Sequence, residues 1–388
     1  MSTLFLQSEI KDPYAVYQKM IKEDPVYWDE TNKIWAIYSY EFCVAILQNT
    51  NAHIPLFSSN KKLNQYASKI ISNLARLSDG IQHAIAKETA LSFFSNMKAI
   101  EIHSITEELF SKDSNPNQIN WVDSVCKKLP VLTVLKSFDF NEEDSDFITQ
   151  NISQLVKIMQ PQKNAEEVEM LNEVSKKVYL MTEKHIAELS FYESLATTIS
   201  STYTISKEEA VSFCVSNLIG LFIQSYDAAR GLLSNSLLQF FSKENTLSNQ
   251  IDKTQIQKMV IETLRFDPPI HNTRRIAVSD ISVNGNTIKK DDLILVVVAA
   301  ANRDPKQFEN AMNFDGERVN NNHLTFGIGG HMCLAKYFSV HLATEALYFL
   351  INNYKISFLE NEIEYEPMIN ARLPKAIWVS LYNLNKKI

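Results

Sequence analysis

The chain has 388 residues, 45% of them hydrophobic, and a formal charge of −7, enough apolar material for a large core and no basic block, which excludes nucleic acid as a partner. The N-terminal stretch MSTLFLQSEIKDPYAVYQKM lacks a basic start followed by a long apolar run. No later segment supplies the roughly 20 uncharged apolar residues of a membrane span. Four widely spaced cysteines, Cys43, Cys126, Cys214 and Cys333, are too few for a disulfide framework and point to a reducing, cytoplasmic setting without membrane anchoring.

No internal repeat, low-complexity tract or Gly/Ser/Pro linker marks a seam, so one domain over residues 1–388 is expected. Val26 to Tyr40 carries aromatic and β-branched residues around an Asp-Glu-Thr-Asn turn signal, which predicts an early hairpin. Helical periods then dominate from about 60 to 260, and Cys43, Cys126 and Cys214 fall on apolar positions that fill core space.

Ser206 and Glu209 form a capping box that opens an uninterrupted helical pattern to about Ser242, roughly 50 Å of helix. Its centre places Gln224, Asp227 and Arg230 in apolar surroundings, where polar groups need partners unless the helix is exposed there. After Pro268-Pro269 the pattern turns to strands. A turn at Asn284-Gly285 precedes the β-branched run of LILVVVAA, followed by a helix from Cys333 to about Asn352 and a strand pair near 354 to 384. The fold class is mainly α with a smaller β-rich portion.

Only eight glycines occur in the chain, and three of them, Gly327, Gly329 and Gly330, fall just before His331 and Cys333. Glycine permits backbone turns closed to other residues, and a helix start after the loop would favour a thiolate at Cys333. Such a thiolate can ligate a metal, act as a nucleophile or stay inert. A zinc site of His323, His331 and Cys333 lacks a second Cys pair, and a nucleophile activated by His331 lacks a marked oxyanion hole.

The run Phe326-Gly327-Ile328-Gly329-Gly330-His331-Met332-Cys333 resembles the haem-binding loop of the cytochrome P-450 superfamily, Phe-Gly-x-Gly-x-His-x-Cys-x-Gly, with Ala335 at the last glycine. The resemblance implies the cytochrome P-450 fold, haem b (iron protoporphyrin IX) and Cys333 as axial thiolate, with Phe326, Gly327, Gly329 and His331 cradling the cofactor. It extends to Glu262 and Arg265 in ETLRFDPP, which match the family's Glu-x-x-Arg pair, locked to an Arg that here is Arg318. His83, Lys87, Arg275 and His323 match the groups that meet the haem propionates, Lys87 standing where Arg is usual. The segment Ala301 to Pro305 also looks like bacterial members.

A thiolate pushes electron density onto haem iron and favours O–O cleavage, so the resemblance implies a monooxygenase or related oxidase acting on a small-molecule substrate. The family's acid-alcohol pair in the long helix is matched by Asp227 and Ala228: the acid is present and the alcohol is gone. Three consequences are open, namely a substrate hydroxyl that completes the relay, coupling or desaturation without rebound, or peroxide use. Gln224 and Ser225 replace small residues where that helix opens over the haem, and Ile270, His271 and Asn272 match the strand start that lines the substrate pocket, though His271 read alone would be a surface side chain. A pocket with Gln, His and Asn suits a natural-product intermediate. Electrons are expected from a separate ferredoxin or flavodoxin, with Lys87 and Lys336 able to steer it. A monomer is expected, and a haem sensor or carrier without turnover is the reading from another class.

Overall fold

The structure is a computed structural model that describes residues 3–55, 62–112, 115, 118–160, 163–241, 251–359 and 362–384. It divides into two compact units. The first comprises Met1–Pro55, Ile102–Lys127 and Asp227–Ile388, the second Leu56–Glu101 and Lys128–Tyr226. No described helix is long and apolar enough to cross a membrane.

All ten described strands lie in the first unit: β1 (Val26–Asp29), β2 (Ile34–Ile37), β3 (Ala52–His53), β4 (Gln118–Asn120), β5 (Thr273–Ala277), β6 (Ile281–Val283), β7 (Asn286–Ile288), β8 (Leu293–Val296), β9 (Tyr354–Phe358) and β10 (Trp378–Asn383). The main sheet runs β1-β2-β8-β5-β3. The expected early hairpin forms its edge, with Val26 opposite Ile37. β2 then pairs in parallel with β8, Ile34 opposite Leu293.

Strand alternation sends Ile37, Ile294 and Val296 to one face, where they pack with Ala277, Ala301 and Leu324. Ile34, Ala36 and Leu295 go to the other, against Tyr14, Tyr17 and Ala299. Both faces are buried, so this small sheet is a core element. β6 and β7 form the hairpin expected at Asn284-Gly285, whose φ values of 49° and 73° are those of a two-residue turn in the left-handed region. The β-branched run does not stay extended. The strand ends at Val296, and Val298–Ala301 is a helical turn, because its three alanines favour the helix.

Arg372 ties the ends of this unit together. Its guanidinium donates to the carbonyls of Gln7, Ile10 and Lys11 and stacks 3.5 Å from the Tyr365 ring.

The second unit is helical: Gln65–Asn73, Gly80–Asn96, Leu129–Ser137, Glu142–Leu155, Ala165–Ile186 and Tyr192–Tyr203 surround the first half of a helix that runs Lys207–Phe240. That long helix is capped as its sequence implies: Glu209 N–H donates to Ser206 Oγ at 3.1 Å and Ser206 N–H to Glu209 Oε2 at 3.0 Å. The expected end at Ser242 lies outside the described residues. Phe140 packs edge-on against Phe222 with centroids 5.6 Å apart and lies 3.8 Å from the His185 ring, whose Nε2 donates to the Phe138 carbonyl at 2.7 Å. Asn217 donates to the Asn73 carbonyl at 2.9 Å.

Candidate functional site

The glycine loop is held by its own backbone. Gly327 N–H donates to the Leu324 carbonyl and Cys333 N–H to the Phe326 carbonyl, each at 2.8 Å. Gly327 and Gly329 adopt φ of 65° and 71°, and Gly330 does not enter the left-handed region, so two of the three glycines use the conformational freedom expected of them. A Cβ at Gly330 would meet nothing within 4 Å. Cys333 and His331 are half-buried. Cys333 is not in the first turn of the following helix, as expected from sequence. That helix is Lys336–Asn353 with Ala335 as its N-cap, because the chain turns once more after the cysteine. The loop backbone, rather than the helix dipole, is what holds the sulfur's residue in place.

Glu262 and Arg265, both fully buried, meet on their helix: Arg265 Nε and Nη2 donate to the two Glu262 oxygens at 3.0 and 2.6 Å. Arg318 Nε donates to Glu262 Oε1 at 3.2 Å. Arg265 also donates to the carbonyls of Asn302, Ala311 and Asn313. Every side of this buried pair is therefore hydrogen-bonded, which is the condition for burying charge without a large penalty.

Arg275, on β5 and 5% exposed, donates to Thr273 Oγ1 at 3.2 Å and to the Arg274 carbonyl at 2.8 Å. His323 sits beside Phe326, ring centroids 5.6 Å apart. Burial first, then the Lys336 and Arg265 cations, push its pKa down to about 3, so it is neutral at ordinary pH. His83 and Lys87 belong to the second unit, on the helix Gly80–Asn96, where His83 Nδ1 donates to the Ala75 carbonyl at 2.8 Å.

At the centre of the long helix Asp227 is ion-paired, its Oδ1 3.2 Å from Arg230 Nη2, and Arg230 Nη1 lies 3.5 Å from Glu366 Oε1. Ala228 follows, half-buried. Gln224 Nε2 donates to the Gly220 carbonyl and Ser225 Oγ to the Phe222 carbonyl, so both side chains turn back on their own helix. Ile270 forms an isolated bridge with Ala371. His271 is fully buried rather than a surface side chain, with Nδ1 3.0 Å from the Tyr17 hydroxyl and Nε2 3.4 Å from that of Tyr14. Asn272 donates to the Ile369 carbonyl at 3.0 Å.

Comparison with known proteins bears on these residues. A family model described as cytochrome P450 matches residues 236–375, which include Glu262, Arg265, Arg318 and Cys333. Cytochrome P450 119 of Sulfurisphaera tokodaii is 25% identical over 83% of this chain and 86% of its own length. The polyketide biosynthesis cytochrome P450 PksS of Bacillus subtilis is 22% identical over 95% of this chain and 96% of its own. A crystal structure of P450BioI with a hexadecenoic acid-ligated acyl carrier protein covers 97% of this chain and 100% of its own, with TM-score 0.78 and 22% identity. The family model and these relatives are all cytochrome P450s.

That likeness indicates an enzyme, a cytochrome P450 monooxygenase, and implies a haem cofactor, small substrates and redox partners. The residues present fit the group that this likeness implies. A half-buried cysteine follows a loop whose Gly330 leaves open space, and a buried arginine and a neutral histidine come from the same unit. The zinc alternative does not form, since among the described residues no three His, Cys, Asp or Glu side chains converge for a metal.

Sequence reasoning missed two features of the site. Glu366 pairs with Arg230 across a separation of 136 residues, for which no local pattern exists. Asn302 bonds both the buried Arg265 and the start of the glycine loop, and its only sequence signal was the Ala301–Pro305 segment.

Proposed function

We propose that this P450 oxidises a small natural-product intermediate, either hydroxylating it with help from a hydroxyl of the substrate or coupling or desaturating it after hydrogen-atom abstraction. The observation that carries this reading is Ala228 beside an ion-paired Asp227. The carboxylate is retained and held by Arg230, but the next residue has no hydroxyl to orient a water or pass on a proton. A substrate hydroxyl can fill that place, and a reaction that ends without rebound asks less of the relay.

The cofactor is proposed as haem b, with the Cys333 thiolate as its iron ligand, Phe326, Gly327, Gly329 and His331 as its cradle, and Arg275 and His323 toward its propionates. When bound, it supplies oxygen activation toward a C–H bond. The protein's part is to seat the substrate and hold Asp227 as a carboxylate acceptor. The polar groups of His271 and Asn272 already have protein partners, so substrate polarity is read less from them than from the polyketide relative. Electrons come from a separate ferredoxin or flavodoxin, and the enzyme works as a monomer.

The test is turnover with a surrogate ferredoxin and reductase, after screening small molecules for a haem spectral shift. Candidates are presented both free and as carrier-protein thioesters. The expected result is NAD(P)H-dependent formation of one oxidised product. Spectral binding of several ligands with no product from any would favour a haem sensor or carrier, the second reading opened by the missing alcohol. Equal turnover with peroxide alone would favour a peroxygenase.

A further inference from the structure

We propose that Asn302 is a positioning residue for the thiolate loop, coupling the buried Glu262-Arg265 pair to the stretch that presents Cys333. Asn302 is fully buried and uses every polar group it has. Its carbonyl accepts from Arg265 Nη1 at 2.9 Å. Its Oδ1 accepts the Leu324 N–H at 2.7 Å, and its Nδ2 donates to Thr325 Oγ1 at 2.8 Å and to the Leu264 carbonyl at 3.4 Å.

Leu324 and Thr325 open the loop. The Leu324 carbonyl accepts Gly327 N–H and the Phe326 carbonyl accepts Cys333 N–H, so the position fixed by Asn302 passes through two backbone bonds to the cysteine. Leu324 is itself anchored in the core beside the main sheet. One residue therefore joins three things: the helix Lys253–Phe266 that carries Glu262 and Arg265, the sheet core and the loop. Neutral amides suit this place because Asn offers a donor and an acceptor together, whereas Asp or Leu would leave at least one buried partner unsatisfied.

A loop bonded at one end only to itself would let the sulfur shift, and a thiolate ligand is sensitive to small displacements because ligand and supporting shell act together. The proposal rests on haem-thiolate ligation, so the test reads ligation directly. Purified holoenzyme is reduced under carbon monoxide, and the red-shifted band of sulfur ligation is compared among wild type, Asn302→Leu, Thr325→Val and the control Asn235→Ala. Asn235 is an equally buried asparagine that donates to the Asp267 carbonyl at 3.0 Å.

The expected result is a rise of about tenfold in the ratio of haem without the sulfur band to haem with it in Asn302→Leu and in Thr325→Val, the equilibrium effect of one unsatisfied buried partner. Asn235→Ala should lower thermal stability without that change. Asn302→Asp, which keeps the acceptor for Leu324, should fall between wild type and Asn302→Leu. The proposal is overturned if the Asn302 and Thr325 variants lose stability as Asn235→Ala does yet keep the wild-type band. If Asn302→Leu does not accumulate, the near-isosteric Thr325→Val decides alone. A wild type without the band would instead overturn haem-thiolate ligation itself, and this proposal with it.

Discussion

Arg230 holds Asp227 on its own helix, guanidinium to carboxylate at 3.2 Å, and shares its charge with Glu366. One nearly buried cation thus serves two carboxylates, whose side chains are 23% and 27% exposed. Replacing it by Met leaves two acids facing each other. The expected loss is about 2–3 kcal/mol, below the 3–5 kcal/mol of a fully buried pair because water still reaches both acids. Adding Glu366→Gln should restore part of the loss, and denaturant midpoints of the single and double variants check it. A double variant no more stable than Arg230→Met would show that the two acids do not compete for the cation.

Ala228 separates the two accounts of the missing alcohol. A positioned proton donor is worth about 10²–10⁴ in rate. If the relay were merely defective, Ala228→Thr would recover product formation by a large part of that factor. If the native substrate supplies its own hydroxyl, or if the reaction ends without rebound, the change should stay under about tenfold. Product formed per NAD(P)H consumed, with wild type and variant side by side, gives the answer.

Arg265 should not tolerate lysine. It spreads its donors over both Glu262 oxygens and three carbonyls, a planar fork that an ammonium cannot reproduce. Arg265→Lys is expected to cost about 3–5 kcal/mol, a large share of the roughly 5–15 kcal/mol that holds a typical protein together. Arg318→Lys, at the rim of the same cluster, should cost less. Denaturant midpoints and the yield of haem-loaded protein are the measurements.

The legible parts of this protein were those written in short range. The hairpin at Val26–Ile37, the turn at Asn284-Gly285 and the Ser206-Glu209 cap each depend on neighbours within a few residues, so propensity and turn chemistry sufficed. The mainly helical fold with its smaller sheet portion followed from the resemblance and from periodicity alike. The helix boundary after Cys333 was misplaced because nothing in the sequence marks the extra turn before Ala335. The central sheet order was not legible either. β2 pairs in parallel with β8 although about 260 residues separate them, and only tertiary packing brings them together. The same holds for His271: its sequence neighbours suggest an exposed side chain, while its burial is set by Tyr14 and Tyr17 from a distant helix.

That buried histidine gives the protein a built-in acid sensitivity. Gln7 Nε2 donates to the Tyr17 oxygen at 3.3 Å and Tyr14 O–H to Asp267 Oδ1 at 2.7 Å. Tyr17 O–H is then left to donate to His271 Nδ1, and Nε2–H faces the Tyr14 oxygen, so the neutral ring satisfies its neighbours and a second proton does not. Burial first, then the Arg372 and Arg303 cations, hold its pKa well below the usual 6.5. The unfolded chain takes up a proton at this histidine below about 6.5 and the native state refuses it, so stability is full above that pH and falls as pH drops beneath it. The slope from this one group is about 1.4 kcal/mol per pH unit. His271→Gln should lower stability at neutral pH, through lost hydrogen bonds, and flatten the decline in acid by about one proton's worth. Denaturation midpoints of wild type and variant at several pH values between neutrality and the carboxylate range measure the difference. Parallel curves would mean that His271 takes up its proton in the native state as readily as in the unfolded chain.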